Sequence, residues 1–305
     1  MEQEWIEYLR RVIPGNSNVP VGIGDDAALL ELGEQHRCVV AVDIISDGVD
    51  FSLAEVNPEL VGRKALAVNL SDLAAMAARP IAALVALGLP RSHARSLAEQ
   101  VYKGLLKLAD SYQVAIAGGD THVWEGPLFL AVTAVGIPGP GGIWRREGAR
   151  PGDFIVVTGS FGGSILGKHL TFEPRVREAL YLAEHYRIHA AIDVSDGLLL
   201  DLWRLAEASG VGAEIDFDKI PIDPAARRLS LTEGDQKSAL EHALSDGEDF
   251  ELILAVPPEE IPRLLADKKV GTPLTAIGCF VARKGLWQRN GEDRKPITPA
   301  GYVHG

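Results

Sequence analysis

Apolar positions recur along this chain with two periods, one helical and one strand-like, and together they outline its elements. Glu2–Val12 repeats every three to four residues, an amphipathic helix that ends at Pro14-Gly15. Val21-Gly-Ile-Gly24-Asp25-Asp26 is a glycine-hinged turn carrying adjacent carboxylates into an apolar strand. Cys38–Val42 reads as a strand that delivers Asp43 at its end, and the polar loop Ser46–Asp50 follows. Asn57-Pro58-Glu59 starts a helix, with proline at the first helical position. That helix is predicted over Leu60–Ala78, stopping before Pro80. Its second half is apolar almost all round, the pattern of a buried helix. Asp72 is therefore anomalous: a buried carboxylate needs a partner or a metal, unless Asn69 and Asp72 form a narrow exposed stripe. Ile81–Leu89 is a predicted strand, Ser92 caps a helix through Tyr112, and Val114–Ala117 is a short strand ending in Gly118-Gly119-Asp120-Thr121. Paired glycines there let a ligand approach the backbone. Leu128–Val135 continues the sheet.

Pro138-Gly-Pro-Gly-Gly142 is the best linker candidate, which divides the chain into domains 1–137 and 138–305. The second half opens with the strand Phe154–Thr158 and a glycine-rich turn, Gly159–Ser164, that leads into a helix but lacks the Gly-Lys-Ser/Thr ending of a P-loop. A helix over Arg177–His185 precedes the most informative stretch, Ala190–Asp201. An apolar run ends on Asp193, Ser195-Asp196-Gly197 follow, and a helix over Leu198–Ala208 stops at Gly210. Carboxylates at such a junction can face one point beside helix amides that favour anions. Ser195 or Asp196 is equally well placed as a plain N-cap. Val211–Phe217 is a strand, Ala239–Leu244 a short helix, Phe250–Val256 a strand, Pro258–Asp267 a helix and Thr275–Phe280 a last strand, beyond which the pattern fades past Arg283. The alternation is that of an α/β (α+β) chain of two domains.

Composition narrows the function. Among 305 residues, 47% are hydrophobic and 24% charged, as in an ordinary globular protein. A net charge of −12 argues against nucleic acid or an anionic membrane as partner, and means that a phosphate-rich ligand would need metal ions between it and the carboxylates. No apolar run approaches the roughly 20 residues of a membrane span. The acidic N-terminus is unlike a secretory signal. Cys38 and Cys279 sit in apolar runs and read as buried free thiols suited to a reducing cytoplasm. What remains conspicuous is a series of carboxylates at strand ends or inside an apolar helix: Asp26, Asp43, Asp72, Asp120, Asp193 and Asp196. Such a set suggests a polynuclear magnesium site with phosphates as the remaining ligands. The scattered spacing excludes an EF-hand, and the lack of Cys/His clusters argues against zinc. A sugar hydrolase needs only a pair of carboxylates.

Gly22-Ile-Gly-Asp-Asp-Ala, Lys64-Ala-Leu-Ala-Val-Asn-Leu-Ser-Asp, Gly118-Gly-Asp-Thr, Ile192-Asp-Val-Ser-Asp-Gly-Leu and Ala243-Leu-Ser-Asp-Gly-Glu-Asp, in this order, resemble the thiamine-monophosphate kinase family. That family belongs to the aminoimidazole ribonucleotide synthetase-like superfamily. The resemblance implies a homodimer paired through its N-terminal sheets, a C-terminal α/β domain, and ATP held between the domains with several Mg²⁺ ions. It further implies that Asp26, Asp43, Asp72, Asp120, Asp193 and Asp196 are metal ligands, and that Gly119, Asp120, Arg146 and Ser195 hold the nucleotide. Arg146 and Asp196 would then take part in catalysis, and Glu248 would contact the substrate. The expected reaction is phosphoryl transfer from ATP to thiamine phosphate. Some positions depart from the family's pattern. Ala41-Val42 replaces hydroxyl residues before Asp43, Asp50 replaces a substrate-contacting histidine, and about Pro299 stands where an aromatic ring is usual. Gly163–Pro174 is also shorter. A related enzyme with another small acceptor, or an idle nucleotide-binding protein, are the rival readings.

Overall fold

The computed structural model describes residues 2–14, 16–33 and 36–303; Gly15, the predicted stop of the first helix, lies outside them. After α1 (Glu2–Val12) the N-terminal half forms β1 (Ala28–Glu31), β2 (Arg37–Ser46), α2 (Pro58–Ala75), β3 (Ala78–Pro90), α3 (Ala94–Tyr112), β4 (Ala115–Trp124) and β5 (Phe129–Pro138). Its sheet has five strands in the order β1-β2-β5-β3-β4, antiparallel except for the parallel β3–β4 pair at one edge. Helix α2 lies on one face of this sheet and α3 packs along α2. A glycine on each helix permits the approach: a Cβ on Gly62 would lie 1.8 Å from the Val101 carbonyl oxygen, and one on Gly104 1.7 Å from that of Glu59.

The C-terminal half contains β6 (Phe154–Thr158), α4 (Lys168–Thr171), α5 (Val176–His185), β7 (Ala190–Asp193), α6 (Leu198–Ala208), β8 (Gly212–Ile215), α7 (Pro224–Leu229), α8 (Ala239–Ser245), β9 (Leu252–Val256), α9 (Ile261–Ala266), β10 (Leu274–Val281), β11 (Gly285–Asn290) and β12 (Asp293–Ile297). These strands make a seven-stranded sheet, β12-β11-β8-β10-β6-β9-β7. Alternate residues of β6 and β9 enter different cores. Val156, Leu252 and Leu254 join a core shared with α2 and the first sheet, while Ile155, Val157 and Ile253 pack with α6. Burial on both faces explains why these strands read as unbroken apolar runs. It also explains α2, which touches β2 and β5 of its own half and α4, α5 and β7 of the other.

Several predicted elements need correction. Strand β2 continues to Ser46, so Asp43 lies within it, opposite Val132 of β5, instead of at its end. Helix α2 stops at Ala75; Ala77 turns the chain at φ 50° and Ala78 already pairs in β3. Ser92 does not cap α3, whose N-cap is His93 in the left-handed region. The strand predicted to end before Gly118-Gly119 runs on through both glycines to Trp124, because β3 offers a parallel partner along that whole length. Beyond Arg283 the chain forms the β11–β12 hairpin, where only a few apolar residues such as Leu286 and Ile297 face inward and periodicity is too thin to read. Cys38 and Cys279 are free, as expected, but half-buried and not enclosed.

Candidate active site

A cleft of about 1360 Å³ lies between the two halves. Its walls come from the turn Gly22–Asp26, from β2 and the loop to Asp50, and from Asp72 on one side. Arg145–Glu147, Asp193–Asp196 and Ser245–Glu248 form the other. At its floor, carboxylate oxygens of Asp26, Asp72 and Asp193 lie within 4.8 Å of one another. Each comes from a different kind of element. Asp26 sits in the glycine-hinged turn, Asp72 near the end of α2, and Asp193 on the last residue of β7. One turn before Asp72, the fully buried Asn69 donates to the Ala65 carbonyl (3.0 Å) and accepts from the Asp43 amide (3.2 Å), tying β2 to α2. Asn69 and Asp72 are thus no solvated stripe. Ser71 reaches across to the other half and donates to Asp193 Oδ2 at 2.6 Å.

Burial is the largest cause that raises the pKa of Asp43, Asp72 and Asp193 above the ordinary carboxylate range, and like charges nearby add to it. Asp43 and Asp72 face one another closely enough that each perturbs the other. Arg146 enters the same floor: its Nη2 donates to Asp26 Oδ1 at 2.6 Å. Asp26 Oδ2 and Arg146 Nε are buried with no partner, an acceptor and a donor left unsatisfied side by side. Backbone contacts fix Arg146 in place. Its amide donates to the Asp25 carboxylate (3.2 Å), and its carbonyl accepts from Ser209 Oγ (3.0 Å). Burial, then the neighbouring Asp26, pushes Asp25 up to about 6.

Ser195 and Asp196 line the cleft, and neither caps α6. Gly197 occupies the cap position at φ 125°, and Asp201 inside the first turn accepts from the amides of Asp196 (2.9 Å) and Gly197 (3.1 Å) instead. The Asp196 carboxylate pairs with Arg204 at 2.5 Å, beside the triad and not within it. Glu248 adopts φ 64°, its amide donates to the Ser195 carbonyl (2.6 Å), and its carboxylate is bonded by Lys64. Asp50 lines the cleft, yet its Oδ2 closes its own turn by accepting from the Ser46 amide at 2.7 Å.

Gly119 and Asp120 are not brought to this cleft. Both are exposed on β4, three strands from β2, a distance of roughly 14 Å at the usual strand spacing. Register places Asp120 in a row with Ala86, Ala131 and Ile44, on the face opposite to Asp43. Sequence reasoning missed Lys64, Arg204 and Tyr302, which join the site or its wall. Lys64 lies on the same apolar helix as Asp72, so the buried-charge argument applied to Asp72 would have found it. Tyr302, not Pro299, reaches the cleft from the C-terminal segment, its amide donating to the Asp196 carbonyl at 2.8 Å.

The fold of two α/β units has counterparts among known proteins. Residues 24–138 match the AIR synthase related protein, N-terminal domain, and residues 150–286 match the corresponding C-terminal domain. Thiamine-monophosphate kinase of Rhodopirellula baltica is 46% identical, with 100% of this chain and 98% of the relative covered. That of Salmonella typhimurium is 37% identical over 90% of this chain and 88% of its own. Among solved structures, AaThiL complexed with AMPPCP and TMP superposes with a TM-score of 0.85 at 28% identity, covering 100% of this chain and 97% of that one. The chain belongs to the thiamine-monophosphate kinase family, ATP-dependent kinases of the AIR synthase related class.

Proposed function

We propose that this protein transfers the terminal phosphoryl group of Mg·ATP to thiamine phosphate, giving thiamine diphosphate. The carrying observation is the triad of Asp26, Asp72 and Asp193, drawn from both halves of the chain and partly unsatisfied. The donor set suits magnesium, which takes a few carboxylates and completes its shell with water and phosphate. These three residues, with Asp43 beside Asp72, would hold the ions. Bound Mg²⁺ would neutralise phosphate oxygens during transfer. The chain's own groups do the positioning. Arg146 directs an unpartnered Nε–H into the buried floor, where it can donate to a phosphate oxygen. Ser195 and Asp196 form the wall above, and Arg204 keeps Asp196 in one orientation. Glu248 and Tyr302 mark the acceptor end, Tyr302 offering an aromatic face where Pro299 offers none. Asp50, whose carboxylate is turned into its own loop, presents less negative charge to an incoming phosphate than its sequence position suggests. This weakens the case for a different acceptor.

We place the division between the two functional units at 137/138. The first unit would also pair two chains: Val42 and Ile44 (62% and 65% exposed) and Leu84 (44%) form an apolar sheet face that α2 and α3 leave uncovered. A second copy seated there would bring its Asp120 and Gly119 towards the cleft edge at Val42 and Ile44, an arrangement that would let these residues meet the nucleotide. No helix among the described residues is long and apolar enough to cross a membrane. Free thiols at Cys38 and Cys279 suit a reducing cytoplasm. The test is direct: purified protein with Mg·ATP and thiamine phosphate should release ADP and form thiamine diphosphate. Turnover only on another acceptor would move the assignment to a related enzyme, and ATP binding without any turnover to an idle nucleotide-binding protein.

A further inference from the structure

Lys64 is fully buried on helix α2, with the buried Val61, Ala67 and Val68 one turn away. A buried ammonium is costly unless it finds partners, and here two come from different parts of the chain. Nζ donates to the Asp50 carbonyl at 2.9 Å, within the first half, and to Glu248 Oε1, from the second. Glu248 needs such a restraint. It sits in the left-handed region at φ 64°, an uncommon place for a glutamate. It also follows Gly247, where a Cβ would come within 2.7 Å of the Ser195 carbonyl oxygen. Without a partner its side chain, 32% exposed, would be drawn towards solvent. Both residues that Lys64 joins line the cleft, whereas Lys64 itself does not.

We infer that Lys64 is a positioning residue for the acceptor: it clamps Glu248 and the Asp50 loop together across the joint between the halves, shaping the acceptor end of the cleft and not the nucleotide end. The nucleotide floor is built without it, from Asp26, Asp72, Asp193 and Arg146. The inference rests on thiamine phosphate being the acceptor, so the wild-type assay is run alongside.

Steady-state kinetics of Lys64→Met, Lys64→Arg and Glu248→Gln, with Mg·ATP and thiamine phosphate varied separately, test it. Lys64→Met should raise the KM for thiamine phosphate about tenfold or more, the scale of a lost charge-assisted hydrogen bond. The KM for ATP should stay within about twofold, a split that a general loss of structure would not give. Lys64→Arg should recover part of the acceptor affinity. Glu248→Gln, which keeps the acceptor oxygen but loses the charge of the bond from Lys64, should cost less when added to Lys64→Met than on its own. Should Lys64→Met not fold, Lys64→Arg alone carries the test, and it should show the same selective rise to a smaller degree. Equal effects on both substrates, an unchanged acceptor KM, or independent effects of the two substitutions would overturn the clamp. A wild-type protein inactive on thiamine phosphate would instead overturn the acceptor assignment, and the clamp with it.

Discussion

At Asp72, Asp193 and Asp26 the fold concentrates like charge in a partly dry place, which destabilises it unless protons or cations intervene. Their proposed use as metal ligands would account for this concentration of charge. Asp72→Asn should leave the protein folded, since it removes repulsion, while weakening Mg-dependent binding of a non-hydrolysable ATP analogue. The loss should exceed that of Ser71→Ala, which leaves all three carboxylates but frees Asp193 from its hydroxyl donor. For Ser71→Ala a fall of about 10–100-fold in metal affinity or activity is expected, the usual effect of losing a group that orients a ligand. Calorimetric titration of both variants at fixed Mg²⁺ checks the order, and an unchanged affinity in Asp72→Asn would remove that residue from the site. The sequence made Asp72 legible because a lone carboxylate in an apolar helix demands an explanation. Asp196 was legible as a cleft residue, but its partner Arg204, in the helix that directly follows, was not, since a surface-like arginine carries no local signal.

At the scale of elements, α2 is the piece on which the site depends. It carries Lys64, Asn69, Ser71 and Asp72 on a helix enclosed by a sheet, by α3 and by the second half of the chain. Its crossing with α3 is set by Gly62 and Gly104, each facing a carbonyl of the other helix. Gly104→Ala should therefore push the helices apart and cost about 1–3 kcal/mol, the range for overpacking a tight core. Urea denaturation would measure this directly. Activity should fall with it at temperatures where the wild type is unaffected. The helix was readable because its apolar run and its Asn57-Pro58 start are local features. Strand limits were less readable: β2 and β4 are longer than their apolar runs because pairing with β5 and β3 extends them across polar and glycine positions.

For the whole molecule, the proposed pairing with a second copy rests on the exposed apolar face of the first sheet and on the position of Asp120 away from the cleft. Leu84→Glu places a charge in the middle of that face, away from the cleft. It should convert a dimer to a monomer in light scattering and reduce activity by removing Asp120 from the partner's site. A dimer that persists with full activity would place the interface elsewhere. Mg²⁺ with the ATP analogue should also raise thermal stability, by about 2.7 kcal/mol at a hundred times its Kd, because only the docked halves form the site. The same gain should be absent in Asp193→Asn.

Local chemistry alone determined the α/β class, the apolar α2 with its anomalous carboxylate, the junction at Asp193–Gly197 and, through motifs in order, the family. These depend on residues close together in the chain, where periodicity, turn chemistry and buried-charge cost act. Tertiary structure decided which carboxylates meet. Asp26, Asp72 and Asp193 converge and Asp120 does not, because the face on which a strand presents a side chain is fixed by register with strands far away in sequence. It also decided that Lys64 finds Glu248 across the joint. Those choices belong to packing between distant segments, which no local pattern encodes.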